Sequence, residues 1–231
     1  MADPTGWMPG VARIPSNEWG YPDIAEDGMY PQGVINHAMQ GFRSTMDAWA
    51  IKNESQGRSA HFGVNRKGEI AQYVSIWNPA YHAGSVVYPD GWAQTMLGRH
   101  GANPNKWSVG IECEGFSQVI AGADYVYSAT NPWPESMVQA VIRIHLWVFS
   151  SCEWLVNATD KQDRVLTHSQ FDTRTRANDP GALWIANVKP RVIQALVAPP
   201  IVIPEIDPRL MRALALLDEA HELVSKVILR E

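Results

Sequence analysis

Histidines and carboxylates are the residues of this chain whose types and spacing suggest chemistry, because they bind metals and transfer protons. The chain has seven histidines but no HExxH pair, and its two cysteines are not spaced as zinc ligands. His37 and His168 each end a predicted apolar strand, where catalytic groups gather in α/β sheets. Asp179 follows His168 by eleven residues, in a loop. Spacing alone nominates these three residues and leaves structural roles open.

A glutamate is aimed at one surface of the predicted sheet by the segment SVGIECEG, residues 108–115. Side chains alternate along a strand, so Glu112 and Glu114 share one face, opposite the apolar residues between them. Glu114 lies near the strand end, which favours a capping or loop contact for it. Glu112 is therefore the candidate acid or base.

The pattern of elements predicts an α/β fold with a mixed central β-sheet flanked by helices and a C-terminal helical extension. An apolar strand over GVIN leads to His37, and strands at 60–65 and 69–75 are joined by a turn that contains Gly68. Helical spacing follows at 41–53, and again from Pro134 to Leu155. The other predicted elements are a short helix near 92–97, a strand at 164–168 and a helix at 182–197.

The chain is predicted to divide into a catalytic domain at 1–197, a proline-rich linker at 198–207 and an amphipathic helix at 208–231. Residues 1–32, rich in Pro, Gly and Asp, indicate an irregular N-terminal arm. The apolar stripe of the last helix suits either a homodimer through a coiled coil or docking on the parent domain.

Charge and hydropathy exclude some partners. The net charge of −5 and the lack of a basic run argue against nucleic-acid binding, because such proteins need a basic surface. No segment has the length of a membrane span, and the N-terminus lacks the pattern of a secretory signal. The sequence therefore predicts a cytoplasmic protein.

Five ordered segments resemble a known family: GVINHAMQG, SAHFGVNRKGEIAQYV, AYHAGS, WSVGIECEG and THSQ followed by NDPGALW. They resemble the zinc-dependent N-acetylmuramoyl-L-alanine amidases, also called type 2 amidases, which share a superfamily with the peptidoglycan recognition proteins. The likeness spans roughly residues 8–190 and is nearest to the cytosolic anhydro-muropeptide amidases and phage endolysins. It implies that fold, a Zn²⁺ cofactor and a peptidoglycan or muropeptide substrate.

The resemblance also implies roles for individual residues. His37, His168 and Asp179 match the zinc ligands, and Glu112 matches the catalytic glutamate. Two imidazoles and one carboxylate leave a fourth position for water, as a hydrolytic zinc requires. Glu112 is then expected to take a proton from that water and return it to the L-alanine nitrogen.

One position departs from the family pattern. Many members have a lysine two residues before the aspartate, where this chain has Ala177. Arg176 is expected to stabilise the oxyanion in place of that lysine, and Arg174 to bind substrate. The alternative is that both arginines are solvated loop charges.

Other residues are expected to contact substrate. His82, in AYHAG, matches a family motif beside the groove, and Trp107 and Asn105 are placed in the groove wall. Core packing and turn formation are the alternatives for Trp107 and Asn105. His61 and His145 are expected to be structural.

The expected function is zinc-dependent hydrolysis of the bond between N-acetylmuramic acid and L-alanine. The linker and terminal helix favour a phage-type endolysin that reaches the wall after release by a holin. Two alternatives stay open at this point: a cytosolic muropeptide-recycling amidase, and a non-catalytic peptidoglycan-binding protein of the same fold.

Overall fold

The structure is a computed structural model that describes residues 5–14, 29, 31–52, 58–116 and 126–198. The chain divides into two units, Met1–Val197 and Ala198–Glu231. Apart from Ala198, the predicted linker, the terminal helix and the dimer contact assigned to it lie outside the described residues. Within the described residues, no helix combines the length and apolar character needed to cross a bilayer.

Six strands form one mixed sheet in the described part of the first unit, in the order β1-β4-β3-β5-β2-β6. All neighbouring strands are parallel except β3 and β4, which form the antiparallel hairpin predicted around Gly68. The strands are β1 Ala12–Arg13, β2 Gly33–Ala38, β3 Phe62–Val64, β4 Ile70–Gln72, β5 Ser108–Cys113 and β6 Val165–Thr167.

Helices cover both faces of the sheet. The helices are α1 Arg43–Lys52, α2 Gly91–His100, α3 Glu135–Ser151, α4 Glu153–Val156, α5 His168–Phe171, α6 Ala182–Asn187 and α7 Lys189–Val197. On one face, α3, α6 and α7 pack on the apolar side chains of the central strands, such as Val34 and Ile111. On the other face, α1 packs against Ala71 and α2 against Ile35. This arrangement confirms the predicted fold class.

Alternation along β2 and β5 divides their residues between the two faces. Val34 and Val109 contribute to the core under α3, so His37 and Glu112 project from the opposite face. That face is also the one on which α1 and α2 lie. The strands thus bury their apolar side chains under α3, and His37 and Glu112 lie on the face that carries α1 and α2.

The predicted elements differ from the structure in four places. The arm predicted as irregular contains β1, a two-residue edge strand that pairs with β4 although both its residues are exposed. The helix predicted at 134–155 is interrupted at Cys152, and the one at 182–197 is interrupted at Val188. His168 does not extend β6 but begins α5, with Thr167 forming a capping box.

Candidate active site

The candidate site lies at the carboxyl ends of β2, β5 and β6, which meet because the three strands are parallel. The pairing of β2 with β5 sets His37 opposite Glu112. The pairing of β2 with β6 sets Asn36 opposite Thr167, so His168 follows at the level of His37. Residues far apart in the sequence are thereby brought to one point.

His37, His168 and Asp179 form a buried cluster whose ligand atoms all lie within 4.8 Å of one another. The Nδ1 atoms of the two histidines are 3.0 Å apart, and Asp179 Oδ2 is 3.0 Å from His168 Nδ1 and 3.8 Å from His37 Nδ1. Two imidazole nitrogens and one carboxylate oxygen are the donor set of an open, catalytic zinc site. The residues present therefore fit a metal ion.

Asp179 is held in place from several sides. Its Oδ1 accepts a hydrogen bond of 2.8 Å from the backbone N–H of Ala38, which leaves Oδ2 for the cluster. Its carbonyl accepts from the N–H of Ser169 at 2.8 Å. Burial by itself raises the pKa of Asp179, but the hydrogen bond with His168 and the nearby His37 outweigh it and lower that pKa. The carboxylate is therefore charged at neutral pH, as a metal ligand must be.

Burial lowers the pKa of His37, although Asp179 opposes that change. Burial also lowers the pKa of His82 well below its usual value, with a further contribution from His37. Both imidazoles are thus neutral at pH 7, and a neutral ring nitrogen is the form that binds metal.

The side chain of Glu112 is half-buried. Its Oε2 is buried and has no hydrogen-bond partner among the described residues. Desolvation raises the pKa of Glu112 well above its usual value, the charge of Asp179 adds to that rise, and Arg176 opposes it. A half-buried carboxyl group with a raised pKa beside the candidate metal site has the properties of a general base or acid.

A cleft of about 590 Å³ opens above these residues. One wall is formed by Phe42, which directly precedes α1, and by Met46 and Trp49 on α1. Phe42 and Trp49 are 42% and 40% exposed, so they present apolar surface to the cleft. Arg58 and Tyr81 also line the cleft, and sequence reasoning did not select either of them. The helical pattern of α1 was detectable, but spacing does not tell whether such a face meets a core or a cleft.

The two arginines of the loop after α5 lie in different surroundings. Arg176 lines the cleft together with Glu112, His168 and Asp179. The guanidinium carbon of Arg174 lies 4.0 Å from the ring centroid of Tyr88, a cation–π arrangement outside that lining.

The expected groove positions of Trp107 and Asn105 are corrected. Trp107 is 4% exposed and packs in the core beneath α2 with Ile35 and Phe171. Asn105 is 3% exposed, and its Oδ1 accepts hydrogen bonds from the N–H groups of His82 and Ala83. Core packing and turn formation, the alternatives left open by the sequence, describe the two residues.

His82, unlike those two residues, does line the cleft, but its ring is 6% exposed and contacts His37. His61 and His145 are fully buried and hydrogen-bonded to the backbone at Asn78 and Val141, as structural histidines should be. His61 also accepts from the N–H of Gly110.

Comparisons with known proteins agree with this geometry. The family model described as N-acetylmuramoyl-L-alanine amidase matches residues 27–182. No curated protein matches the chain in sequence.

Solved structures of similar fold cover most of this chain. A crystal structure of an AmpD derivative is 21% identical, with a TM-score of 0.57, and the match covers 86% of this chain and 99% of that one. A mutant of PlyL is 14% identical, with a TM-score of 0.51, covering 82% and 99% of the respective chains. The amidase LysC from Clostridium intestinale is 14% identical, with a TM-score of 0.50, covering 80% and 99%. At these identities the likeness shows a shared fold.

Proposed function

The chain belongs to the N-acetylmuramoyl-L-alanine amidase family, whose activity is hydrolysis of an amide bond in peptidoglycan, and we propose that it acts as a zinc enzyme. The bond cut joins the lactyl group of N-acetylmuramic acid to L-alanine. His37, His168 and Asp179 would hold the Zn²⁺, and Glu112 would transfer the proton.

The observation that carries this proposal is the position of Glu112 beside the three converging donors. The cluster offers two neutral imidazoles and a carboxylate, while the nearby Glu112 keeps a carboxylate oxygen with no partner among the described residues. A fourth carboxylate or histidine in the cluster would suggest a closed structural site. A carboxylate oxygen without a partner among the described residues, beside an open donor set, instead supports hydrolysis.

Zn²⁺, when bound, supplies Lewis-acid activation of water and of the scissile carbonyl. Glu112 accepts a proton from the attacking water while the water oxygen bonds to the lactyl carbonyl carbon. Glu112 then returns this proton to the L-alanine nitrogen as the C–N bond breaks, releasing a carboxylic acid and a free amine. The raised pKa of Glu112 suits both steps, because it narrows the gap between the pKa of the carboxyl group and the working pH.

Arg176 is the residue we assign to the developing oxyanion. It lines the cleft, and its charge is close enough to influence the pKa of Glu112 and of His37. A guanidinium placed there can donate hydrogen bonds to the carbonyl oxygen as negative charge develops.

For the cellular role we favour a phage-type endolysin that acts on the cell wall after holin-mediated release. Support comes from the sequence at 198–231, which lies beyond the matched family region and is predicted to be a proline-rich linker followed by a helix. A muropeptide-recycling role in the cytosol is the alternative. Comparing rates on intact sacculi and on soluble anhydro-muropeptide distinguishes them, because a lysin must cut polymeric wall.

The test of the activity is incubation of purified sacculi with the protein, with and without a chelator. We expect new L-alanine amino groups to appear, to be lost with chelator and to return with added zinc. Release that persists in chelator would contradict the metal proposal. Tight binding of sacculi without release would instead indicate a non-catalytic peptidoglycan-binding protein.

A further inference from the structure

His82 makes a contact that a purely substrate-binding residue would not need. Its Nδ1 lies 3.1 Å from Nε2 of His37, on the side of that ring away from the His168 and Asp179 donors. The two rings meet edge to face, with centroids 5.3 Å apart. His82 thus contacts the side of the His37 ring that faces away from the other two members of the donor cluster.

The opposite side of the His82 ring faces the backbone of β5. Its Nε2 lies 3.1 Å from the carbonyl oxygen of Ser108. A carbonyl oxygen only accepts hydrogen bonds, so Nε2 of His82 carries the proton and donates it. In a neutral imidazole the other nitrogen, Nδ1, is then an acceptor.

The tautomer of His82 determines which ring nitrogen of His37 carries a proton. Because Nδ1 of His82 accepts, Nε2 of His37 must carry a proton and donate it. The unprotonated nitrogen of a neutral His37 is then Nδ1, which is the atom that faces His168 and Asp179. Outer partners that fix the tautomer of a ligand histidine in this way are a general feature of metal sites.

We propose that His82 is a positioning residue for the metal site, through which the Ser108 carbonyl selects the ligand tautomer and ring orientation of His37. This inference rests on the proposed zinc function of the same cluster. In this arrangement a second, neutral imidazole takes the place of the carboxylate or backbone carbonyl that usually orients a ligand histidine.

Contacts with its own loop and with β5 hold His82 in that position. Asn105 Oδ1 accepts from the N–H groups of His82 at 3.0 Å and of Ala83 at 2.7 Å, which fixes the loop. Gly110 leaves room for the ring, because a Cβ at that position would lie 2.3 Å from Cγ of His82. Ser108, Gly110 and Glu112 alternate onto one face of β5, so one strand supports both His82 and the catalytic glutamate.

The experiment measures zinc affinity by competition with a chromogenic chelator for the full chain and for four variants. His82→Leu removes the acceptor and should weaken zinc binding about 10- to 100-fold. His82→Asn places an amide oxygen near the former Nδ1 and should recover most of the affinity. His145→Leu is the matched control, since it removes a buried, backbone-bonded histidine from α3, on the opposite face of the sheet, and should leave zinc affinity within about two-fold. Thermal melting shows that each variant is folded.

The fourth variant, His37→Ala, separates this inference from the proposed function. If the parent chain binds zinc no better than His37→Ala, the proposed metal site itself fails. If the parent binds zinc and His82→Leu binds it equally well, only the positioning role fails. A rise in KM with unchanged zinc affinity in His82→Leu would likewise overturn it in favour of substrate contact.

A spectroscopic measurement tests the tautomers directly. Long-range ¹H–¹⁵N spectra of the zinc-loaded protein should show His82 protonated at Nε2 alone and His37 protonated at Nε2 alone. Protonation of His82 at Nδ1 would overturn the proposal whatever the affinities show.

Discussion

Glu112 and His37 lie opposite each other in the parallel pairing of β2 and β5, and both project from the face that carries the cleft. This relationship puts the proposed base beside the donor cluster while its Oε2 has no partner among the described residues. Glu112→Gln should therefore lower kcat by about 100- to 10,000-fold, because the amide cannot take up a proton. Zinc affinity, measured by chelator competition, should change little. Full activity of Glu112→Gln would remove this residue from the mechanism.

The same substitution should stabilise the metal-free protein at neutral pH. Burial raises the pKa of Glu112, so the folded state binds its proton more tightly than the unfolded state does. Its contribution to stability is therefore complete below the usual glutamate pKa and is lost as pH rises through the raised pKa. Urea unfolding in chelator should show a larger unfolding free energy for Glu112→Gln than for the parent at pH 7. An equal or smaller value would contradict the desolvation of this carboxyl group.

Arg176 and Arg174 provide a matched pair for the oxyanion. Arg176→Ala should reduce kcat by about 100-fold or more, because one donor to a developing oxyanion contributes on that scale. Arg174→Ala removes the same charge from the same loop, but its guanidinium packs on Tyr88. Its kcat should stay within about three-fold of the parent. Equal losses in the two variants would point to loop charge in general and not to a specific donor.

Zinc should stabilise the folded chain. A ligand that binds only the native state at about 1,000 times its Kd adds about 4 kcal/mol to the unfolding free energy. The midpoint of thermal unfolding should therefore rise with zinc in the parent chain, and the rise should disappear in Asp179→Ala. Magnesium, which prefers oxygen donors, serves as the control ion. An equal rise with magnesium would argue against a site of two imidazoles and one carboxylate.

His145 should make the protein sensitive to acid. Burial lowers the pKa of His145 to about 4, while in the unfolded chain it returns to its usual value of about 6.5. The unfolded state therefore binds more protons between these two pKa values. The contribution of the neutral, buried His145 to the unfolding free energy is complete above pH 6.5 and is lost as pH falls towards 4. The difference between the two pKa values of His145 corresponds to about 3 kcal/mol of unfolding free energy. In chelator, His145→Met should flatten the pH dependence of the unfolding free energy, and an unchanged slope would contradict the prediction.

Gly110→Ala tests the packing beneath His82. The new Cβ would lie 2.3 Å from Cγ of His82, so the ring or the strand must shift, at a cost of about 1–3 kcal/mol. Zinc affinity should fall with stability. Gly98→Ala on α2 is the control, because its Cβ would meet nothing within 4 Å. If Gly110→Ala binds zinc as tightly as Gly98→Ala, the ring of His82 has more freedom than the structure indicates.

Local sequence patterns were sufficient to predict that Glu112 and His37 lie on strands, and on which face of its strand Glu112 lies. The alternation in β5 placed Glu112 on a polar face, and the apolar segment before His37 predicted a strand that ends at a possible site. Strand ends and side-chain alternation depend on neighbouring residues, which is why the sequence carries them. The convergence of His37 with His168 and Asp179 depends on strand order, and in the sequence only the family resemblance indicated it.

The remaining errors arose where tertiary packing decides the outcome. Trp107 and Asn105 stand beside a predicted groove in sequence, yet neighbours from α2 and from the His82 loop bury them. The β1 strand has only two residues and so has no periodicity to detect. It forms because β4 offers an unpaired edge, and no property of Ala12 or Arg13 reveals that partner.

The hydrogen bond from Ala38 to Asp179 joins residues 141 positions apart in the chain. A ribosome that has released β2 has therefore made only the first part of the site, and His168 and Asp179 emerge long afterwards. Because domains fold as units during synthesis, the proposed site is complete only when this late segment docks on β2. The order of synthesis thus delays activity until nearly all of the first unit has been made.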